Sequence, residues 1–153
     1  MKSTSTKTVK IINRRATFDY EILERLEAGI ALSGAEVKSI RGGRMSLEGS
    51  FVRIQGGEAW LYNAYVNPYS FASDPDYDPK RSRKLLLHRH ELFKIEQKIK
   101  EKGLTVVPIA CYNKHGKIKL EIGLARGKKQ YEKRDLLRRK DLDREIARLA
   151  KNR

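Results

Sequence analysis

Residues 117–125 read Lys-Ile-Lys-Leu-Glu-Ile-Gly-Leu-Ala. Ile118, Leu120, Ile122 and Leu124 fall on one side of an extended chain, and Lys117, Lys119 and Glu121 on the other. A strand with one apolar and one wet face needs an antiparallel neighbour and a core beneath it. The apolar segment 104–112 supplies that neighbour, joined through Asn113-Lys114-His115-Gly116. A second hairpin is predicted between 50–55 and 58–65, because Gly56-Gly57 is a two-residue loop of the type hairpins favour.

The remaining elements are arranged around these hairpins. Residues 9–12 read as a short strand, and Asn13-Arg14-Arg15 as a basic turn. From Asp19 the spacing predicts a helix with Ile22, Leu23 and Leu26 on one face and Gly29 as its left-handed cap. Ile30-Ala31-Leu32 then reads as a strand. Residues 34–41 fit a bent strand or, preferably, a short helix stopped by Gly42-Gly43. Residues 67–84 read as a loop, and 88–102 as a helix ending at Gly103 and burying Leu92, Ile95 and Ile99. Short hairpin strands with flanking helices make a mainly β fold, a small antiparallel barrel with Greek-key connections. Its 153 residues suit one domain: a mobile Lys/Ser/Thr-rich start (1–8), a barrel (9–126) and a basic C-terminal tail (127–153).

Charge narrows the function. The net charge is +15, and the tail alone carries eleven Lys/Arg against five Asp/Glu. Such a field suits a polyanion, and the tail's single aromatic, Tyr131, is available to stack on a base. Asp135 is a candidate N-cap for a tail helix with Leu142, Ile146 and Leu149 along one face. So sparse a stripe leaves the helix marginal alone, so the tail is expected to be disordered when free and helical when bound. Lys38, Arg41 and Arg44, with Asn13, Arg14 and Arg15, are candidates for a surface that holds a phosphate ribbon. Leu85-Leu86-Leu87 cannot all face inward from one strand or one helical turn, so at least one meets solvent or a partner.

Enzymatic chemistry finds little material, and no metal or cofactor is expected. On a helix His88 and His90 would lie about 200° apart, too far round to share a metal. Asp74, Asp76 and Asp78 are interrupted by Pro75 and Pro79 and read as solvated loop acids. Cys111, the lone cysteine, reads as a small buried hydrophobe in a reducing, cytoplasmic setting. No apolar run is long enough to span a membrane.

Several segments resemble those of the small protein B (SmpB) family, the SsrA-binding proteins of bacterial trans-translation. They are Asn13-Arg14-Arg15-Ala16, Glu27-Ala28-Gly29-Ile30-Ala31-Leu32, Gly34-Ala35-Glu36-Val37-Lys38-Ser39-Ile40-Arg41, Arg83-Lys84-Leu85-Leu86-Leu87-His88 and the run from Ala125 to Arg134. The resemblance implies an OB-like barrel, monomeric, that binds the tRNA-like domain of transfer-messenger RNA. With elongation factor Tu it would deliver the alanyl form of that RNA to stalled ribosomes. RNA contacts would map onto Glu27, Leu86 and His88, with Asn13-Arg14-Arg15 nearby. The tail would enter the decoding centre and the empty message channel as a helix. Gly127 would let it turn out of the barrel, Lys128, Lys129, Lys133 and Arg134 would grip small-subunit rRNA, Tyr131 would stack on a decoding base, and Leu149 would lie at an apolar position of the bound helix. Two departures from the family pattern are Glu132, where an aspartate is common, and Tyr131, where some members carry histidine. The rival reading is a ribosomal protein or another barrel-type translation factor.

Overall fold

The computed structural model describes residues 9–72, 74–128 and 130–151, apart from the side chains of 130–133 and 135. The expectations for residues 1–8 and for Lys129 lie outside the described residues. In chain order the elements are β1 (Lys10–Ile12), α1 (Arg14–Asp19), β2 (Tyr20–Ile30), α2 (Gly34–Arg41), β3 (Met45–Ser46), β4 (Phe51–Gln55), β5 (Glu58–Tyr62), β6 (Tyr65–Val66), β7 (Arg83–Leu86), α3 (Arg89–Lys102), β8 (Thr105–Lys114), β9 (Lys117–Gly127) and α4 (Gln130–Lys151). Seven strands form one antiparallel sheet in the order β1-β8-β9-β2-β7-β5-β4, and β3 pairs with β6 apart from it. β4 also lies against β8, so the sheet curls into an OB-like barrel.

Both predicted hairpins are present, and their turns explain themselves. Gly56 and Gly57 both adopt positive φ, as do His115 and Gly116 in the β8–β9 turn. Ile118, Leu120, Ile122 and Leu124 are buried in the main core, as their alternation requires. β8 shows no alternation because both its faces are covered. α1 seats Ala16 against Val107, Ile109 and Ala110 on the outer side. Pro108, which has no N–H to donate, sits at the bulge where the β8–β9 register shifts.

β2 corrects the sequence reading. Residues 20–30 are rich in helix formers (Glu, Leu, Arg, Ala), yet they form an eleven-residue strand paired with β9 along most of its length. Pairing on both sides and burial of Ala28 and Ile30 outweigh intrinsic propensity. A register shift between Ile22 and Glu24 turns Leu23 out to solvent, and Gly29 is a strand residue rather than a helix cap. The segment 13–15 is also more than a turn, since Arg14 and Arg15 open α1.

The two helices over the barrel ends were legible. α2 starts from a capping box in which the Ser33 hydroxyl accepts from the Glu36 N–H and the Glu36 carboxylate accepts from the Ser33 N–H. α3 buries Leu92 and Ile95 and ends at Gly103 in the left-handed conformation (φ 63°).

The tail, expected to be helical when bound, is a continuous helix over Gln130–Lys151. Leu, Arg, Lys, Glu and Ala dominate it, and their propensity offsets the thin apolar stripe. Asp135 lies inside this helix rather than at its cap. The helix is not packed away: Leu137, Leu142, Ile146 and Leu149 are all exposed. Among the described residues, no helix is long and apolar enough to cross a membrane.

Candidate nucleic-acid interface

On β7 the side chains alternate. Leu85 points into the core, whereas Leu86 is 55% exposed, which answers the question posed by the three-leucine run. Leu86 pairs across from Gly29 of β2, where a Cβ would come within 3.1 Å of the leucine's own Cβ. The bare glycine backbone thus makes room for Leu86. Continuing across the sheet, Gly29 pairs with Lys119, Lys119 with Tyr112, and Tyr112 with Lys10. One row on the outer face therefore carries an apolar side chain, an aromatic and two cations.

Leu86, Glu27 and His88 line one open cleft of about 970 Å³, together with Lys84, Lys117 and Lys119. Sequence reasoning had singled out the first three but not these lysines. Their signal was present, since they are the wet-side residues of alternating strands. Glu27 accepts a hydrogen bond at Oε2 from the Tyr112 hydroxyl and another from Lys114 Nζ (3.4 Å). The Tyr112 bond is the main reason its carboxyl titrates below the ordinary range, and Lys114 reinforces it against partial burial. Burial first, and then the bond to Glu27, push the Tyr112 phenol up, so it stays a donor. Glu27 is therefore an ionised acceptor, with Oε1 unengaged among the described residues. Such a group takes amino or hydroxyl donors and rejects phosphates.

The cleft is positioned by a network that sequence reasoning missed. Glu36, from α2, is buried beside Arg83 of β7 and half-buried Arg81. Arg83 Nε donates to Glu36 Oε2 (2.8 Å), Nη1 to the Ala64 and Arg81 carbonyls (2.9 and 3.0 Å), and Nη2 to the Tyr77 hydroxyl and Pro79 carbonyl (3.3 and 3.0 Å). Every guanidinium N–H is thus satisfied. The Tyr77 hydroxyl lies 3.2 Å from Glu36 Oε2. Burial alone would raise the Glu36 pKa, but Arg81, the Ser33 N–H and Arg83 overcome it and hold it at about 2. The run Lys80-Arg81-Ser82-Arg83-Lys84 looks like a free cationic patch in sequence, yet two of its members are spent inside the fold.

The other candidates are distributed more widely. Asn13 is buried, its Nδ2 donating to the Pro108 carbonyl (2.9 Å), so it holds the α1 junction. Arg14 and Arg15 are exposed and line a separate hollow of about 300 Å³ with Met45 and Leu47. Arg41 reaches the cleft rim, where Nη2 donates to the Gly116 carbonyl (3.1 Å). Lys38 lies over the Tyr69 ring at 5.4 Å, and Arg44 is exposed. His88 and His90 are not on opposite helix faces, because His88 is the extended N-cap of α3. Their rings stack with centroids 5.5 Å apart, and among the described residues no group of three potential ligands forms around them. Cys111 is fully buried, which pushes its thiol up to about 12, far from a nucleophile.

At the tail junction Lys128 is engaged, its N–H donating to the Asp19 carbonyl (2.9 Å) and its Nζ to the Thr17 carbonyl (2.7 Å). Gly127 is the last residue of β9, with ordinary backbone and open space around it, so no steric need for glycine is visible there. Arg134 and Leu149 are exposed, while the side chains of Tyr131 and Lys133 lie outside the described residues.

Comparison with known proteins converges on one group. Residues 10–152 match the family model described as SmpB protein. The SsrA-binding protein of Sulfurihydrogenibium sp. (strain YO3AOP1) is 56% identical over 134 residues, 88% of each chain. That of Syntrophotalea carbinolica is 50% identical over 147 residues, 95% of this chain and 98% of its own. A solved chain described under "tmRNA-SmpB: a journey to the center of the bacterial ribosome" is 52% identical. It aligns with a TM-score of 0.65 over 79% of this chain and 85% of its own.

Proposed function

Since this chain belongs to the SmpB protein family, we propose that it is an RNA-binding adaptor of trans-translation. It binds the tRNA-like domain of transfer-messenger RNA and, as a monomer, accompanies its alanyl form with elongation factor Tu to stalled ribosomes. The observation that carries this reading is the cleft that Leu86, set outward over Gly29, lines together with Glu27 and His88. Lysines 84, 117 and 119 supply counterion-releasing contacts to phosphates. Leu86 offers an apolar surface to an unstacked base, and Glu27 Oε1 accepts from a base amino group or a 2′-hydroxyl.

The tail takes the second task, in the decoding centre and the empty message channel. Lys128, Lys129, Lys133 and Arg134 meet rRNA phosphates there, Tyr131 stacks on a base, and Leu149 lies on the apolar side of α4. Lys128 must then release the Thr17 carbonyl it holds in this structure.

Pull-down from a bacterial lysate, with the bound RNA sequenced, tests the reading. Transfer-messenger RNA should be enriched over bulk tRNA. Stoichiometric rRNA without it would instead indicate a ribosomal protein and reject the proposal. Leu86→Asp should weaken transfer-messenger RNA binding at least tenfold, since an apolar contact of up to about 1.5–3 kcal/mol is replaced by a charge facing phosphates. Unchanged affinity in a filter-binding titration would remove Leu86 from the interface. Gly29→Ala is a subtler version, because the new Cβ forces Leu86 to give by a few tenths of an ångström. A severalfold loss of affinity is expected, with the leucine chemistry intact.

A further inference from the structure

The outer face of β4, β5 and β7 carries a second group of side chains suited to bases. In the cross-strand register Phe51 pairs with Tyr62, Arg53 with Trp60, and Trp60 with Lys84. Their alternates, Val52, Ala59, Leu61 and Leu85, are all buried in the core. These five side chains therefore share one surface with Glu58, whose carboxylate accepts from Trp60 Nε1 (3.1 Å) and lies 3.6 Å from Lys84 Nζ. Phe51 and Tyr62 are stacked, centroids 5.3 Å apart and planes 19° apart, and the Arg53 guanidinium lies 5.1 Å from the Phe51 ring centroid. Arg53 is exposed and the three aromatics are half-buried, so part of each ring remains open.

An aromatic pair on a hairpin stabilises it whatever else it does. Two further observations point to a ligand. Cations are interleaved with the rings, and Arg53 is a planar cation that stacks on bases as well as pairing with phosphates. The strip also runs into the cleft. Lys84 belongs to both, and Leu86 is the next outward residue along β7. Successive outward residues on one strand lie roughly 6.6 Å apart, a spacing an extended, unstacked polynucleotide can follow.

We propose that Phe51, Tyr62, Trp60 and Arg53 form a stacking platform for unpaired nucleotides of the same RNA whose structured end occupies the Leu86 cleft. This rests on the function proposed above and extends the footprint across β5 to the edge strand β4.

Trp60 is the only tryptophan of the chain, so its emission reports on the strip directly. The full-length protein is titrated with transcribed transfer-messenger RNA, following Trp60 fluorescence and, in parallel, the anisotropy of end-labelled RNA. Emission should be quenched in step with binding. Arg53→Glu, at an exposed position, should keep the circular dichroism and melting temperature. It should weaken binding about tenfold, within the range of one lost base–aromatic stack, and flatten the salt dependence by about one unit of slope or more. Binding with unaltered Trp60 emission and an innocuous Arg53→Glu overturns the platform while leaving the cleft in place. Quenching by small ribosomal subunits but not by transfer-messenger RNA overturns its assigned occupant. Absence of any anisotropy change removes the function on which it rests, which is a separate failure.

Discussion

A chain ending at Lys128 should bind transfer-messenger RNA within about twofold of the full protein and support no peptide tagging on ribosomes. The cut belongs there because the barrel ends there. β9 pairs with β2 as far as Gly127 opposite Tyr20, and the Lys128 N–H closes on the Asp19 carbonyl. Cutting earlier, after Ala125, would also remove the Arg126–Glu21 ion pair (2.6 Å) and two strand residues, confusing a fold defect with a functional one. Beyond Lys128 the helix gives the barrel little. The Lys140 amine lies 5.8 Å from the Phe18 ring, Leu136 is half-buried, and Leu137, Leu142, Ile146 and Leu149 remain exposed. Removing it should therefore change barrel stability by no more than about 1 kcal/mol, the scale of an exposed cation–π contact. The lost segment carries eleven cations less one and Tyr131, which the proposed decoding-centre contacts require. If RNA affinity and tagging fall together in the same truncated protein, the two tasks are not divided between barrel and tail.

The largest effect on stability should come from Arg83→Ala, about 3–5 kcal/mol, because it takes one of two guanidinium partners from a buried carboxylate and strands four other acceptors. That is a large share of the 5–15 kcal/mol typical of a small domain, so this variant will fold poorly if at all. A gentler measurement reads the same network through pH. The folded-state pKa of Glu36, about 2, lies below its ordinary 4.5. The unfolded chain therefore binds the proton first as pH falls. The contribution, on the order of 3 kcal/mol, is present above about pH 4.5 and is lost as pH drops towards 2. Urea unfolding of the natural chain and of Glu36→Gln should show a stability gap at pH 7 that narrows by pH 2.5. A gap that stays constant over that range would exclude an ionised Glu36 as its origin. Because the network joins α2, the 67–82 loop and β7, RNA affinity should decline along with stability when it is weakened.

How far the site could be read from residues depended on the range of the interaction that placed each one. Leu86 was legible as an outward residue because three consecutive leucines cannot share one face, a local geometric fact. Lys117 and Lys119 were legible as wet-side residues for the same reason. Glu27 was singled out as a contact residue by resemblance, but its setting was not visible. It stands on a strand beside Tyr112, not in the last turn of a helix. Asn13 and Glu36 carry motif positions whose visible work is internal, at the Pro108 carbonyl and at the two arginines. A buried polar residue and an exposed one are written with the same letter, and only the surrounding fold separates them. The His88–His90 stack was missed because a helical phase was applied to a residue that caps the helix from outside.

By its order of residues alone, this chain dictates the hairpins at Gly56-Gly57 and His115-Gly116, the stop at Gly103 and a cationic tail, and it favours a short helix over a bent strand at 34–41. Each is decided within a few residues by backbone freedom, capping or alternation. Only the tertiary structure decided that residues 20–30 extend rather than coil, that Arg81 and Arg83 turn inward to Glu36, and that Glu27 of β2, Leu86 and Lys84 of β7 and Lys117 and Lys119 of β9 share one cleft. Those outcomes rest on partners as far apart in sequence as β2 and β9. A strand's ladder and a buried charge's neutralisation exist only when the distant partner has arrived.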